Sequence, residues 1–331
     1  MVVKNKSPKF IVGVGSALVD ILTEADESFV TSCGGVKGGM TPVDNHFMQR
    51  VLSKLPGKPK IVPGGSACNT IVGVANLGGR ARFVGKLGVD SYARQFAAGL
   101  KNNAVDAVLL QSRLPTGRVL SIITPDAQRS MFTCLSASSE TRPDEMTLTY
   151  FDQAAIVHLE GYLAFNRELL LAALQSAKRA GALISLDLAS FTVVESARSF
   201  LASVVKDYVD ILMANEDESR VFTNHSDEIR AIEAMSQNVD IAVVKVGKRG
   251  SLIARSDHII QVPPEGDGTA VDTTGAGDLW AAGFLFGFLN GYPLEKCGRL
   301  ASVCGYEVCQ VVGAQISKNG WSRIKKQIKD L

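Results

Sequence analysis

Short apolar runs alternate with helix-like stretches along most of this 331-residue chain. The runs are rich in Val, Ile and Leu and lack polar alternation, which predicts strands buried on both faces. Helical patterns such as 167–181 and 227–238 lie between several of them. Strand, helix and strand in repetition are typical of a doubly wound α/β fold with a mainly parallel sheet. The predicted strands are 10–15, 81–85, 154–161, 181–188, 209–216 and 241–247.

Two segments depart from this rhythm. The segment 107–136 has three β-rich runs separated by turn signals at 115–117 and 125–126, with no helix between them, which predicts an antiparallel meander. The segment 21–42 is too polar and glycine-rich for the core. We expect both to project from a single domain, residues 1–331, as a small antiparallel β lid beyond the carboxyl ends of the strands, where ligands bind in such sheets. Two unrelated surface insertions are the alternative.

Composition narrows the class of protein. A net charge of +2 without a dominant basic block argues against nucleic acid as the main partner. The six cysteines form no C-x-x-C pair and the four histidines are scattered, so we predict reduced thiols and no zinc site. No apolar run approaches the roughly 20 residues that span a bilayer. We therefore expect a cytoplasmic protein with a small-molecule substrate and no membrane partner.

The stretch VDTTGAGDLWAAGF, residues 271–284, combines an anion cradle with a carboxylate. Gly275, Ala276 and Gly277 open a predicted helix, where free N–H groups and a partial positive charge attract phosphate. Asp278 would repel a phosphate, but it can accept the proton of a hydroxyl that attacks one. The stretch therefore predicts phosphoryl transfer. An ordinary capped helix start, with glycines for packing, is the alternative.

Two other stretches offer groups for a hydroxylated ligand. Gly64 and Gly65 precede a predicted helix whose first turn holds Ser66 and Asn69, small polar residues that can bond hydroxyls. Asp20 ends an apolar run, where its carboxylate can accept bonds from two vicinal hydroxyls. A common Gly-Gly-Ser helix start and a turn aspartate are the respective alternatives.

Nucleotide groups are predicted at two further strand ends. Asn215 and Glu218 stand three residues apart at a helix start, which suits a hydrated Mg²⁺ near phosphates, or else a helix cap. In VKVGKRGS, Gly247 and Gly250 allow a nucleotide to lie against the backbone, or else form a hairpin turn.

Competing phosphate motifs are absent. The stretch GVGSAL lacks the third glycine of the dinucleotide fingerprint, and no G-x-x-x-x-G-K-[ST] occurs. The H-R-D and D-F-G signatures of protein kinases and the G-x-S-x-G elbow are missing as well. Phosphate chemistry here is therefore not predicted to use a P-loop.

Taken together and in this order, the motifs resemble those of the ribokinase, or PfkB-type, carbohydrate kinase family over nearly the whole chain. Residues 62–79 resemble the first family signature and residues 271–291 resemble the second, which is more specific. GKLGVD (85–90), NEDE (215–218) and VKVGKRG fall where the family has its intermediate motifs. The resemblance implies a ribokinase-like fold and an enzyme that uses ATP and Mg²⁺ to phosphorylate a primary hydroxyl of a sugar or nucleoside.

The resemblance also implies catalytic and acceptor-binding positions. Asp278 would be the catalytic base, and the anion hole would consist of Gly275, Ala276 and Gly277. Arg129, at the turn of the predicted meander, lies where relatives place a charge that reaches the transferring phosphate. The residues that would hold the acceptor are Ser16, Asp20, Gly64, Gly65 and Asn69.

For the nucleotide and the ions, the implied positions lie in the second half of the chain. Those near the nucleotide are Asn215, Lys245, Gly247, Gly250 and Thr273. Glu218 would organise Mg²⁺. Many members also bind a monovalent cation such as K⁺ beside the second signature, and Asp272 is the nearest candidate.

Within the family, the stretches 36–44, 125–138 and 158–163 look most like the adenosine kinase branch. Adenosine is thus the leading acceptor, with fructose, ribose or a keto-deoxy sugar acid as alternatives. One departure is Ser16, which stands where adenosine kinases of animals carry Asn. A purine would meet the lid and the region around Tyr162.

A nucleotide-binding protein without catalysis is the rival class, and the intact DTTGAGD argues against it. The resemblance allows a monomer or a homodimer.

Overall fold

The computed structural model describes residues 10–35, 37, 40–55, 57–125 and 129–330, without the side chains of Arg129, Lys329 and Asp330. This part of the chain forms fourteen strands and eleven α-helices. The strands are β1 (Phe10–Val14), β2 (Leu18–Glu24), β3 (Met40–Pro42), β4 (Lys60–Gly64), β5 (Arg80–Leu87), β6 (Asp106–Gln111), β7 (Gly117–Ile123), β8 (Arg129–Cys134), β9 (Ile156–Glu160), β10 (Leu183–Asp187), β11 (Ile211–Asn215), β12 (Ile241–Lys245), β13 (Ser251–Arg255) and β14 (His258–Val262). The helices are α1 (Glu27–Ser32), α2 (Asn45–Leu52), α3 (Ser66–Asn76), α4 (Ser91–Asn102), α5 (Arg167–Arg179), α6 (Phe191–Tyr208), α7 (Glu216–Thr223), α8 (Glu228–Ser236), α9 (Ala276–Leu289), α10 (Leu294–Val308) and α11 (Lys318–Asp330).

The larger sheet has nine strands in the order β14-β13-β12-β11-β10-β9-β1-β5-β6. Seven of them are parallel, and β13 and β14 continue the sheet in antiparallel pairing. The six predicted strands correspond to β1, β5, β9, β10, β11 and β12. The predicted doubly wound α/β fold with a mainly parallel sheet is therefore confirmed.

Helices cover both faces of the larger sheet, which explains the continuous apolar runs of its strands. Successive strand residues point to opposite faces. In β1, Ile11 belongs to a core shared with α3, α9 and α10, and the adjacent Val12 belongs to a core shared with α5, α6 and α8. Helix α9 is apolar on nearly every side because it packs between α3 and α10.

A smaller sheet, made of β3, β8, β7, β2 and β4 in that order, stands beyond the carboxyl ends of the parallel strands. We refer to it below as the small sheet. Its β7–β8 and β2–β4 pairs are antiparallel, and its β2–β7 and β3–β8 pairs are parallel. The expected second sheet is thus present.

Three details of the predicted lid need correction. The first run of the predicted meander, β6, lies at the edge of the larger sheet, parallel to β5, because α4 connects the two as a β-α-β unit. Only β7 and β8 form the hairpin. Strand β4 joins the small sheet although it lies outside both predicted segments. The segment 21–42 is not wholly outside the core either, since Ile21, Leu22 and Val30 are buried.

Among the described residues, no helix is long and apolar enough to cross a membrane.

Candidate active site

A cavity of about 920 Å³ lies between the small sheet and the carboxyl ends of the larger sheet's strands. Most of the predicted site residues line it, namely Ser16, Asp20, Gly65, Asn69, Asn215, Glu218, Lys245, Gly247, Gly250, Thr273, Gly275, Ala276, Gly277 and Asp278. Gly64 ends β4 beside Asp20, where a Cβ atom would come within 2.3 Å of the Asp20 carboxylate. Arg129 opens β8 opposite Ile123, and its side chain lies outside the described part of the structure. Asp272 is not among the lining residues, but the next two residues, Thr273 and Thr274, are.

The first turn of α9 faces the cavity with bare backbone. Gly275 caps the helix in the left-handed conformation, with φ of 75°, which glycine adopts at little cost. Gly277 follows in the first turn, and a Cβ atom there would lie 3.1 Å from the Nζ atom of Lys245. The N–H of Ala276 donates to the carbonyl oxygen of Thr273 at 3.2 Å. The partial positive charge of this helix start and the nearby ammonium make the region suited to an anion.

Asp278 is held in place by the first turn of α3. Ser66 Oγ donates to Asp278 Oδ1 at 2.7 Å, and Asn69 Nδ2 donates to Oδ2 at 2.9 Å. Burial raises the pKa of Asp278, and the bonds from Asn69 and Ser66 counteract part of that shift. Each carboxylate oxygen keeps a lone pair for a further donor. Asn69, which the sequence assigned to acceptor binding, thus orients the predicted base as well.

Lys245 and Asp187 form a largely buried ion pair in the same cavity. The ammonium donates to Asp187 Oδ2 at 2.6 Å, and Asp187 Oδ1 accepts from the N–H of Ala189 at 2.9 Å. Although burial lowers the pKa of Lys245, Asp187 and Glu218 raise it by more, so the lysine stays charged. Asp187 was missed by the sequence reasoning. Its signal was an acid at the end of the predicted strand 181–188, the same position that singled out Asp20.

Asn215 and Glu218 bond to each other in a reciprocal cap of α7. Asn215 Oδ1 accepts from the N–H of Glu218 at 2.9 Å, and the Glu218 carboxylate accepts from the N–H and Nδ2 of Asn215, both at 2.8 Å. The capping alternative therefore holds, and both residues still line the cavity. Burial raises the pKa of Glu218 to about 7.

The remaining nucleotide-side positions also have local structural partners. Gly247 and Gly250 have positive φ in the turn that joins β12 to β13, so the hairpin alternative holds as well. Asp272 Oδ1 accepts from the N–H and Oγ1 of Thr274, and its Oδ2 accepts from the N–H of Gly313 at 2.9 Å. Within the described ranges, no cluster of three or more His, Cys, Asp or Glu side chains could hold a metal.

Glu160, at the end of β9, was also missed. It is 1% exposed, and its two oxygens accept from the N–H of Ser16 at 2.8 Å and the N–H of Ala67 at 3.0 Å. Gly65 lies within this junction with φ of 96°, and a Cβ atom there would be 2.2 Å from the Ser16 carbonyl oxygen. Glu160 therefore joins the two chain segments that carry Ser16, Gly65, Ser66 and Asn69.

We expect the Glu160 carboxyl to make folding stability depend on pH. Burial raises its pKa from 4.5 to about 6 against the opposing amide bonds, so its contribution is full below pH 4.5 and is lost as the pH rises through 6. The Glu160→Gln variant lacks this titration. Relative to that variant, wild type should lose about 2 kcal/mol of unfolding free energy between pH 4.5 and 7.

Urea unfolding at several pH values measures this difference. The exposed Glu233→Gln variant is the control, and it should track wild type. A constant difference between wild type and Glu160→Gln across the range would contradict the shifted pKa.

Comparisons of the sequence and the structure with known proteins agree on one protein family. The pattern of pfkB family carbohydrate kinases matches residues 41–320. The structure resembles an adenosine kinase from Sinorhizobium meliloti with a TM-score of 0.89 and 30% sequence identity, over 97% of this chain and 100% of that one. It also resembles a probable sugar kinase from Rhizobium etli CFN 42, with a TM-score of 0.90 and 29% identity over 98% and 99% of the two chains.

The curated relatives include probable fructokinase-4 of Arabidopsis thaliana, which is 29% identical over 326 residues and 92% of each chain. Because the family pattern covers most of the chain and both signature stretches meet in one cavity, the chain belongs to the pfkB family of carbohydrate kinases and is a phosphotransferase.

Proposed function

We propose that this kinase transfers the γ-phosphate of ATP to a primary hydroxyl of a nucleoside, with adenosine as the leading acceptor and AMP as its product. The observation that carries the proposal is the position of Asp278. An oriented carboxylate lies within the bare first turn of α9, directly after Gly277, and lines a cavity that has a polar end and an apolar wall.

In this proposal Asp278 accepts the proton of the attacking hydroxyl. The hydroxyl oxygen forms a bond to the γ-phosphorus, and the bond from that phosphorus to the bridging oxygen breaks as ADP leaves. Ser66 and Asn69 hold the carboxylate toward the acceptor and leave it lone pairs for that proton. The acceptor hydroxyls would be held by Asp20 and by the backbone around Ser16 and Gly65.

Positive charge around the γ-phosphate would come from the chain itself. Gly275, Ala276, Gly277 and Lys245 all line the cavity, and a Cβ atom at Gly277 would lie 3.1 Å from the Lys245 Nζ atom. Donors fixed before the reaction stabilise charge that develops in the transition state without having to reorganise. Arg129, which begins β8 at the turn end of the β7–β8 hairpin, would add to them.

The ion assignments are part of the same proposal. Mg²⁺ usually keeps several waters and takes one or two carboxylates together with phosphate oxygens, so it needs no cage of protein ligands. Glu218 fits that use, with Asn215 beside it, and bound Mg²⁺ would favour its ionised form. A monovalent cation such as K⁺ would lie at the loop that Asp272 braces, near Thr273.

The wall of the cavity favours a nucleoside over a free sugar. Its apolar part comes from the small sheet and from the region after β9, with side chains from Leu18, Met40, Val119, Met131, Leu135, Tyr162 and Phe165. A sugar is hydroxylated all round and would leave hydroxyls unpaired against these groups, which is costly. A planar base buries its apolar faces there, and Phe165, which is 59% exposed, would be covered.

A sugar acceptor is the alternative, supported by the 29% identity to a probable fructokinase. Ser16 in place of the asparagine of animal adenosine kinases fits that alternative as well.

For the compartment, we propose the cytoplasm, where the free thiols among the described cysteines would stay reduced. A monomer or a homodimer is expected, which sedimentation would distinguish.

The test is ADP release from Mg·ATP with adenosine, other nucleosides, ribose, fructose and a keto-deoxy sugar acid as acceptors. Turnover with micromolar adenosine is the expected result. Turnover with a free sugar alone would reassign the acceptor. Folded protein that binds ATP but releases no ADP with any acceptor would instead favour a binding protein.

A further inference from the structure

Four connections join the small sheet, together with helices α1 and α2 between its strands, to the rest of the described chain. They are β1 to β2, β4 to α3, β6 to β7, and β8 to the short 3₁₀-helix at Ser136–Glu140. Glu160 binds the first two together through Ser16 and Ala67. A second carboxylate, Asp90, occupies the corresponding position at the other two.

Asp90 caps α4 and at the same time holds Thr116, the residue just before β7. Its Oδ1 accepts from the N–H of Ala93 at 2.9 Å and from Thr116 Oγ1 at 2.7 Å. Its Oδ2 accepts from the N–H of Thr116 at 2.8 Å, and Thr116 Oγ1 in turn accepts from the N–H of Gly88 at 3.2 Å. Burial raises the pKa of Asp90, but its bonds to Thr116 and Ala93 lower it by more, so the acceptor is ionised.

The fourth connection is tied to the same point. The N–H of Ala137 donates to the carbonyl oxygen of Pro115 at 3.0 Å. Thr116 itself is fully buried, and Gly88 leaves no room beside it, since a Cβ atom there would lie 2.6 Å from the Thr116 nitrogen. The end of β5, the start of α4 and both ends of the β7–β8 hairpin thus meet at Asp90.

Asp90 and Thr116 lie where β7 begins, so a small change of angle there moves the far end of the strand by a larger distance. Val119 and Ser121 of β7 face the cavity, and Ser121 lies about 16 Å along the strand from Thr116 at roughly 3.3 Å per residue. A tilt of only about 10° at Thr116 would therefore displace Ser121 by about 3 Å, the length of one hydrogen bond. A small loosening at Thr116 would therefore displace the residues of β7 that face the cavity.

We propose that Asp90 and Thr116 form a hinge clasp that fixes the pivot of the small sheet, and that both are positioning residues for acceptor capture. The proposed chemistry gives no role to the GKLGVD stretch, residues 85–90. The clasp gives it one, because Gly88 and Asp90 both belong to that stretch. The clasp lies away from the cavity lining and acts through β7 and β8. Its consequence for acceptor affinity rests on the proposed kinase function, whereas its consequence for the motion of the small sheet does not.

The test compares Thr116→Val with Thr116→Ser. Valine has nearly the same shape and leaves the Asp90 cap of α4 intact, but it removes the bond to Asp90 Oδ1 and the acceptor of the Gly88 N–H. Serine keeps both. In Thr116→Val we expect KM for the acceptor to rise about tenfold while kcat falls by less than about threefold, and Thr116→Ser to stay within about twofold of wild type.

Amide hydrogen exchange supplies a readout that does not depend on turnover. The β7 and β8 amides should exchange about tenfold faster in Thr116→Val than in Thr116→Ser, with α9 amides unchanged. If the kinase proposal fails for want of any acceptor, this difference still supports the clasp. A lower melting temperature with unchanged KM and unchanged β7 exchange would mean that Thr116 only fills space, and would overturn it.

Discussion

Asp278→Asn is expected to lower kcat by at least about 100-fold, the low end of what a positioned base contributes, while folding and ATP binding persist. The geometry explains why the fold should tolerate the change. The new amide can turn its NH₂ toward Ser66, whose hydroxyl also accepts, and its oxygen toward Asn69 Nδ2. No donor is left facing a donor, so the fold should persist. The fall in kcat then reports the loss of the group that accepts the proton.

Single-turnover ADP formation and ATP titration together measure this outcome. The matched control is Asp240→Asn, an exposed aspartate just before β12 that should behave as wild type. Turnover of Asp278→Asn near that of the control would show that another group takes the proton, and the assignment of the base would be wrong.

Lys245→Met is expected to have the second largest effect, and it acts on both turnover and stability. Loss of one preorganised charge at a transferring phosphate should cost roughly 100-fold in kcat. The variant also leaves Asp187, only 5% exposed, without its ammonium. Breaking a buried pair from one side typically costs about 3–5 kcal/mol, so the variant should also unfold at lower urea concentration.

The double variant Lys245→Met with Asp187→Leu separates the two effects. It removes both charges, so stability should return to near wild type while kcat stays low. If kcat recovers together with stability, the ion pair is structural and Lys245 does not act on the phosphate. Arg249→Met is the control on the same hairpin. The Arg249 side chain is 62% exposed, so its ion pair with Glu228 should contribute less than about 1 kcal/mol.

The sequence predicted the larger sheet well because its strands are buried on both faces, which leaves uninterrupted apolar runs. It failed at β6, whose partner β5 is recognisable only when the Asp90-capped α4 between them is noticed. Strand β4 was missed for a related reason. Its pairing with β2 depends on residues about 40 positions apart, and short strands of mixed polarity carry little local signal.

For the candidate site, local motifs identified the residues of the two glycine-rich helix starts, and the structure brings these together in one cavity. Contacts between distant segments were out of reach. Asp187 meets Lys245 across 58 positions, and Glu160 meets Ser16 across 144. Each of these acids ends an apolar run, and a polar side chain at the carboxyl end of a buried parallel strand is a usable signal. Asp20 was found by that signal, and the same reasoning extends to the other two.

The carboxylates gathered around the cavity have a consequence for which form of nucleotide the enzyme admits. Asp20, Glu160, Asp187, Glu218 and Asp278 all contribute to its lining, and the ammonium groups there belong to Lys245, whose side chain is 14% exposed, and to the exposed Lys248. A bare triphosphate entering such a chamber meets like charge on several sides, whereas its divalent-metal complex carries part of the compensation with it. The same repulsion would act on anionic products after loss of the metal. The acidic lining would therefore favour entry of the metal-bound nucleotide over the bare one, and it would also speed release of the products.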